Sequence, residues 1–345
     1  MKTKRCALFA LLTLAGSVPA FAATTFTATG VIDMIPTSMS DDASIVVGTG
    51  GFGVPNLYYT EAGGASIIGD GCSNGLPAIS GDGTTVLGCH VDVNGNENAA
   101  KWLGGTSWLD LGSEAGAVPC GTSLSGAYGV NQNGSLGVGL LWRAQVCHAN
   151  AGYWDLINGG PATVLPMHFN GPATRANAVN ADGSVIVGWQ DQPTGERTAA
   201  TWVNGVEKLI LTASGSFNGE AMAVSADGNS IVGGNYGYLN QQAWIWQRNT
   251  GVQPIGPIDQ GSLTALDVSD DGKIVVGFST NNHAFVWRKG QGARDLIKFL
   301  KYRGAVVPDG WRLIAASLIS ADGNTIYGWG FNPDNLIEMY KVVLN

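Results

Sequence analysis

The residues able to do acid–base chemistry are few and widely spaced. The four histidines are His90, His148, His168 and His283, and imidazole is the side chain that changes charge near neutral pH, so each is a candidate proton carrier or ligand. Trp189, Tyr236, Tyr238, Phe278 and Trp329 follow β-branched runs at matching places, with Arg175 and Arg197 nearby in the chain. Aromatic faces stack on sugar rings, and a guanidinium fork grips hydroxyls and carboxylates. His90, His148, His168, Arg175, Trp189, Arg197, Tyr236, Tyr238, His283 and Trp329 are therefore the candidate ligand-binding residues. A carbohydrate-active enzyme such as a polysaccharide lyase would draw on the same types, with His or Tyr as base and Arg neutralising a uronate.

Shorter motifs add little. Gly71-Cys72-Ser73-Asn74-Gly75 fits G-x-S-x-G, but a nucleophile elbow needs a strand-to-helix turn, and this run precedes a short strand. Residues 92–97 resemble a calcium loop, yet Glu97 stands where the loop wants Gly and Leu103 where it wants Glu. A polar hairpin turn is the simpler reading. There is no Walker loop, dinucleotide fingerprint or H-E-x-x-H, so no cofactor and no metal are expected.

What must position these residues is a repeat. Residues 38–48, 78–88, 129–139, 178–188, 223–233, 267–277 and 318–328 are seven variants of Ser-x-Asp-Gly-x-x-Ile-Val-Gly, with closing glycines 40, 51, 49, 45, 44 and 51 residues apart. Such a period, rich in short strands, belongs to propellers and solenoids. Each unit reads as an A strand, a tight Asp-Gly or Asn-Gly turn, a β-branched B strand, a C strand and a D strand. The C strands carry Trp102, Trp154, Trp202, Trp246 and Trp287 three places after a small residue, and these rings are expected to pack between units. The last unit runs out of chain before its D strand, while residues 25–35 form a surplus strand at the other end. A ring closed by that strand has no exposed ends, whereas an open array would need caps. The sequence thus predicts an all-β, seven-bladed β-propeller over 23–345, closed by the N-terminal strand. Residues 293–303 have apolar spacing suited to one short helix between blades six and seven.

The run His283-Ala284-Phe285 and the Ser-Ala-Asp-Gly-x-x-Ile-Val-Gly units, together with Asp309-Gly310-Trp311-Arg312-Leu313, resemble the HAF-repeat family of probable extracellular proteins. The resemblance spans nearly the whole chain after residue 22. It implies export and a propeller-like repeat, and it brings no activity with it.

Residues 1–22 read as an export signal: Lys2, Lys4 and Arg5, an apolar run, then Ala20-Phe21-Ala22. With three of the 18 basic residues in that leader, 15 remain against 26 acidic ones, a net charge of −11. An acidic chain without basic runs is a poor partner for nucleic acid or anionic lipid, and no later segment is apolar enough to span a bilayer. The expected location is outside a bacterial cytoplasm: secreted, periplasmic or on the cell surface. A monomer is expected, because a closed ring leaves few edges to pair.

The longer, variable connections are B–C and D–A, which leave an up-and-down blade on one face, where binding sites on rigid scaffolds concentrate. Cys72, Cys89, Cys120 and Cys147 all fall there. Pairing within blades gives Cys72–Cys89 and Cys120–Cys147, each stabilising by roughly 3 kcal/mol; Cys89–Cys120, between adjacent blades, is the alternative. The histidines share this face, but His90 and His148 would lie nearly across the ring from His283. The expected function is a binding protein that engages a glycan or an extracellular protein through this face, with a lyase or a purely structural envelope module as alternatives.

Overall fold

A computed structural model of the chain describes residues 23–50, 55–69, 71–143, 147–169, 173–216, 218–234, 242–259 and 261–345. The expected leader and the candidates Tyr236 and Tyr238 lie outside the described residues. Those residues form seven antiparallel four-stranded sheets and one helix. Six sheets are continuous in sequence; the first comprises Met34–Met39, Ile45–Gly50, Asn56–Thr60 and Gly64–Gly69. The seventh comprises Arg312–Ile319, Thr325–Phe331 and Ile337–Val343, and takes its outer strand from Thr25–Ile32. Thr25 pairs with Val343 and Ala28 with Tyr340, antiparallel. The chain is a seven-bladed β-propeller closed by its N-terminal strand.

The boundaries differ from expectation in two places. The closing strand stops at Ile32 because Asp33 turns the chain in a left-handed conformation, φ 57°, and Met34 already belongs to blade one. The helix is shorter, Leu296–Tyr302, because the residues before it extend the D strand Gly292–Asp295. Asp295 then caps the helix by accepting the Lys298 N–H.

The repeated turn is a closed hydrogen-bond unit. In blade five the Ser225 hydroxyl donates to Asp227 at 2.8 Å and accepts the Ser230 N–H at 3.0 Å. Asp227 in turn accepts the Asn229 N–H at 2.9 Å. Blades one, two, six and seven repeat these bonds. Blades three and four replace Ser by Asn131 and Asn180, whose amide oxygens accept the Leu136 and Val185 N–H groups.

The closing glycine answers to a second constraint. Every A strand except the two-residue Ala78–Ile79 carries a bulge opposite its B strand, and a bulge bends the strand and re-aims its side chains. The bent strand presses a carbonyl onto the glycine. A Cβ at Gly139, Gly188 or Gly277 would stand inside 3.0 Å of the carbonyl oxygen of Gly126, Arg175 or Thr264.

Apolar side chains fill the spaces between blades. Trp154 and Trp202 are each 1 % exposed, and their indole N–H groups donate to Gly112 O and Pro166 O at 3.3 and 2.8 Å. In blades five and six the buried ring sits one step inward, at Trp244 and Phe285, so Trp246 and Trp287, like Trp102, are only half-buried. The disulfides are Cys72–Cys89 and Cys120–Cys147, with Cα separations of 5.6 and 5.3 Å; both are within blades. Two such bridges fit an exported chain in an oxidising compartment, and among the described residues no helix is long and apolar enough to cross a membrane.

Gly188→Ala should cost about 2–4 kcal/mol in denaturant unfolding, because the A-strand carbonyl cannot retreat without losing its pairing. Gly256→Ala, where nothing lies within 4 Å of the added carbon, should stay within about 0.5 kcal/mol. Equal effects at the two sites would contradict the close-approach account.

Candidate functional site

The A strands line a central channel of about 900 Å³. Its narrow end is drawn in by the repeated turns, where Asp41 N–H donates to Gly81 O and Asp270 N–H to Ala321 O between neighbouring blades. Gln132 reaches across to Asp41 Oδ2 at 2.9 Å. In the wall, Asp267 accepts the Ile319 N–H of blade seven at 2.8 Å, and burial pushes its carboxyl up to about 7. The wide end opens on the long-loop face.

Four charged groups and two rings meet at that mouth. Arg175 is the second residue of Thr174–Val179, the A strand of blade four, directly opposite Trp189 on the B strand Val185–Asp191. Arg197 opens the C strand opposite Asp191. Glu220 opens the A strand of blade five, Glu220–Val224. Its carboxylate takes Arg197 Nη1 at 2.6 Å on one oxygen and Arg175 Nη2 at 3.1 Å on the other. Arg197 Nε also binds Asp191 at 2.9 Å, and Arg175 Nε donates to Asn177 Oδ1 at 2.7 Å. The Arg197 guanidinium stacks 3.5 Å above the Trp189 ring, while that of Arg175 lies 4.5 Å from the Tyr128 ring and 5.4 Å from Trp189.

Glu220 is only 3 % exposed, a burial tolerable for a carboxylate because both oxygens are paired. Burial works against the charge on Arg197, but Asp191 and Glu220 outweigh it and raise its pKa further. The cluster is therefore pre-ordered and formally neutral. It offers fixed donors and acceptors beside aromatic faces, which suits hydroxyl-rich ligands better than bare anions.

Among the sequence candidates, Arg175, Arg197 and Trp329 line the channel mouth. Trp189 lies beneath the guanidinium groups, 6 % exposed, and its indole N–H has no partner. The histidines do not converge, and none lines the channel. His90 binds Asp110 at 2.8 Å on blade two. His148 opens a blade-three C strand, exposed, beside the Cys120–Cys147 bridge. His168 lies edge-on to Phe169 with ring centres 4.7 Å apart, in the connection leading to blade four. His283 sits 2.9 Å from Asp259 and 3.7 Å from Asp295 on blade six.

The weaker motifs resolve as structure. Ser73 donates to the Glu97 carboxylate at 3.1 Å, and its run leads into the two-residue strand Ala78–Ile79, not the helix that a nucleophile elbow needs. Asp92 accepts the Asn94 and Asn96 N–H groups, both at 2.8 Å, which makes residues 92–97 a self-bonded turn. Among the described residues no three His, Cys, Asp or Glu side chains are grouped to hold a metal ion.

Tyr128, Asn177 and Glu220 were invisible as site residues in the sequence, although a usable signal existed for the first two. Thr37, Pro77, Tyr128, Asn177, Met222, Leu266 and Ser317 each stand 11 residues before a closing glycine. In six of the seven blades this is the bulged position. It falls one residue ahead of the recognisable motif, and its identity changes from blade to blade.

No family model matches the chain, and no curated protein matches it. Among solved structures it is similar to an oligogalacturonate lyase in complex with manganese, at a TM-score of 0.57 and 14% identity over 93% of both chains. It is also similar to Kuenenia stuttgartiensis hydrazine synthase, at 0.54 and 12% identity over 94% of this chain and 98% of that one. A putative TolB from Agrobacterium tumefaciens scores 0.46, at 16% identity over 67% of this chain and 80% of that one. At such identities the likeness is one of propeller fold.

Beside the His168 connection, both carboxylate oxygens of Glu207 are buried, and burial, outweighing the pull of the nearby His168 N–H, pushes the group up to about 7 from 4.5. The fold therefore prefers the protonated form. That contribution is complete below the unfolded value and drains away as pH rises through about 7. Relative to Glu207→Gln, the wild-type protein should lose about 2 kcal/mol of stability between pH 5 and pH 8. A difference that stays flat across that range would contradict the assignment.

Proposed function

We propose that this chain is an exported binding propeller that takes a glycan at the wide mouth of its channel. The observation carrying this reading is the neutral, fully paired cluster of Arg175, Arg197, Asp191 and Glu220, set beside Tyr128, with Trp329 on the channel lining in blade seven. Fixed polar forks would bind sugar hydroxyls, and the rings would stack on pyranose faces. We further place the chain in the HAF-repeat family, with residues 1–22 removed on export and the closed ring acting as a monomer. Whether it is secreted, periplasmic or surface-bound does not alter the site.

A glycan array followed by calorimetry tests this. Saturable binding to one glycan class is expected. Trp329→Ala or Tyr128→Ala should weaken it at least about tenfold with the fold retained. Arg197→Ala should abolish binding and also cost about 3–5 kcal/mol of stability, since it strips a buried carboxylate of a partner. An array with no saturable ligand for the folded protein would overturn the glycan reading; capture of an envelope protein through the same residues would redirect it.

One observation favours a second reading, a polysaccharide lyase. Arg175 beside Tyr128 pairs a carboxylate-neutralising cation with a side chain whose phenolate form could accept the proton removed from the sugar carbon. None of the histidines reaches that place. Unsaturated products from a panel of uronate polysaccharides, lost in Tyr128→Phe while binding persists, would establish it.

A further inference from the structure

Net charge hides a local reversal. Residues 288–312 hold seven of the 15 Lys and Arg that follow residue 22, against two acids, Asp295 and Asp309. That strip carries +5 in a chain whose net charge after residue 22 is −11. Elsewhere in the ring five of the eight basic side chains are ion-paired: Arg143, Arg175, Arg197, Lys273 and Lys341. Among the described residues none of the seven in the strip makes an ion pair.

Five of these cations, Arg288, Arg294, Lys298, Lys301 and Arg303, gather around one short helix, while Lys289 turns to Gln247 and Arg312 to Asn335. Leu296–Tyr302 buries Leu296, Phe299 and Leu300 against blades six and seven and turns Lys298, Lys301 and Tyr302 outward. The guanidinium groups of Arg288 and Arg303 each lie 6.0 Å from the Phe299 ring, and that of Arg294 lies 5.4 Å from Tyr302. Two large apolar side chains stand out among them: Tyr302 is 77 % exposed and Val306 81 % exposed. Between the helix and Ile258 is a cleft of about 300 Å³, with Phe299 in its floor and Arg294 and Lys298 on its rim.

We infer that this patch docks the protein on an anionic phospholipid surface, its cations on the phosphates and Tyr302 and Val306 in the interfacial layer. Charge complementarity selects an anionic partner. The apolar pair then selects lipid over a hydrated polyanion, because an aromatic ring and a valine gain nothing from a polymer that stays in water but do gain at the headgroup–acyl boundary. The helix lies in a D–A connection, so docking would hold the channel mouth beside the membrane. The inference stands apart from the glycan reading, as it uses none of the mouth residues.

Sedimentation of the chain from Ala23 onward with vesicles of phosphatidylcholine and phosphatidylglycerol (3:1) tests it. Binding is expected at 0.1 M salt, with little to pure phosphatidylcholine and a steep loss at 0.5 M. Each basic residue near such a surface contributes about fivefold, so K298E/K301E/R303E should weaken binding at least about a hundredfold with thermal unfolding unchanged. Tyr302→Ser/Val306→Ser should weaken vesicle binding about tenfold yet leave binding to dextran sulfate intact. The inference is overturned by absence of vesicle binding, by indifference to the charge reversals, or by an apolar pair that matters for neither probe, which would mark a site for soluble polyanions.

Discussion

The pairing of Thr25–Ile32 with Ile337–Val343 is the interaction on which the rest of the molecule depends. It joins residues more than 300 positions apart, such as Thr29 and Met339, so it bears a large loop-closure cost that only a completed ring can offset. Side chains reinforce it. Phe26 packs 5.2 Å from Trp311 and 5.7 Å from Tyr340. Without this strand, Ile337–Val343 would become an exposed edge and blade seven would lose the cover over its core. The channel mouth would suffer too, because Arg197 and Glu220 belong to different blades and meet only while the blades hold their spacing.

Within that ring the repeat motif does architectural work alone. The Ser or Asn of each turn receives the N–H five residues on, the Asp stabilises the turn, and the closing glycine admits the bulged A strand. In six of the seven blades the same bulge aims one side chain at the channel. Architecture and site are thereby linked: the residues that make the blades alike are buried in turns and strands, and the variable bulged position, Tyr128 in one blade and Asn177 in the next, faces the space a ligand would enter.

Much of this was legible in the sequence because it is local or periodic. The seven copies, the surplus strand and the deficient last blade together implied a closed ring. The within-blade cysteine pairing, favoured over Cys89–Cys120 because its loops share a blade, is the one observed. Spatial convergence was less legible. The four histidines share a face of the ring but are held apart by blade spacing, with His90 occupied by Asp110 and His283 by Asp259. Glu220 looked like an ordinary strand residue, since its partners lie 23 and 45 positions away. Averaging likewise concealed the basic strip: a chain-wide charge of one sign carries no information about a short segment of the other.

Native-state hydrogen exchange of the closing strand tests the account most directly. If the strand holds the ring together, amides of Thr25–Ile32 that pair with Ile337–Val343 will exchange only with the global unfolding free energy, like those around Val187 and Val276 in the blade cores. Exchange of the closing strand at a much lower free energy, with those cores still protected, would show that the ring persists without it and would contradict the central claim.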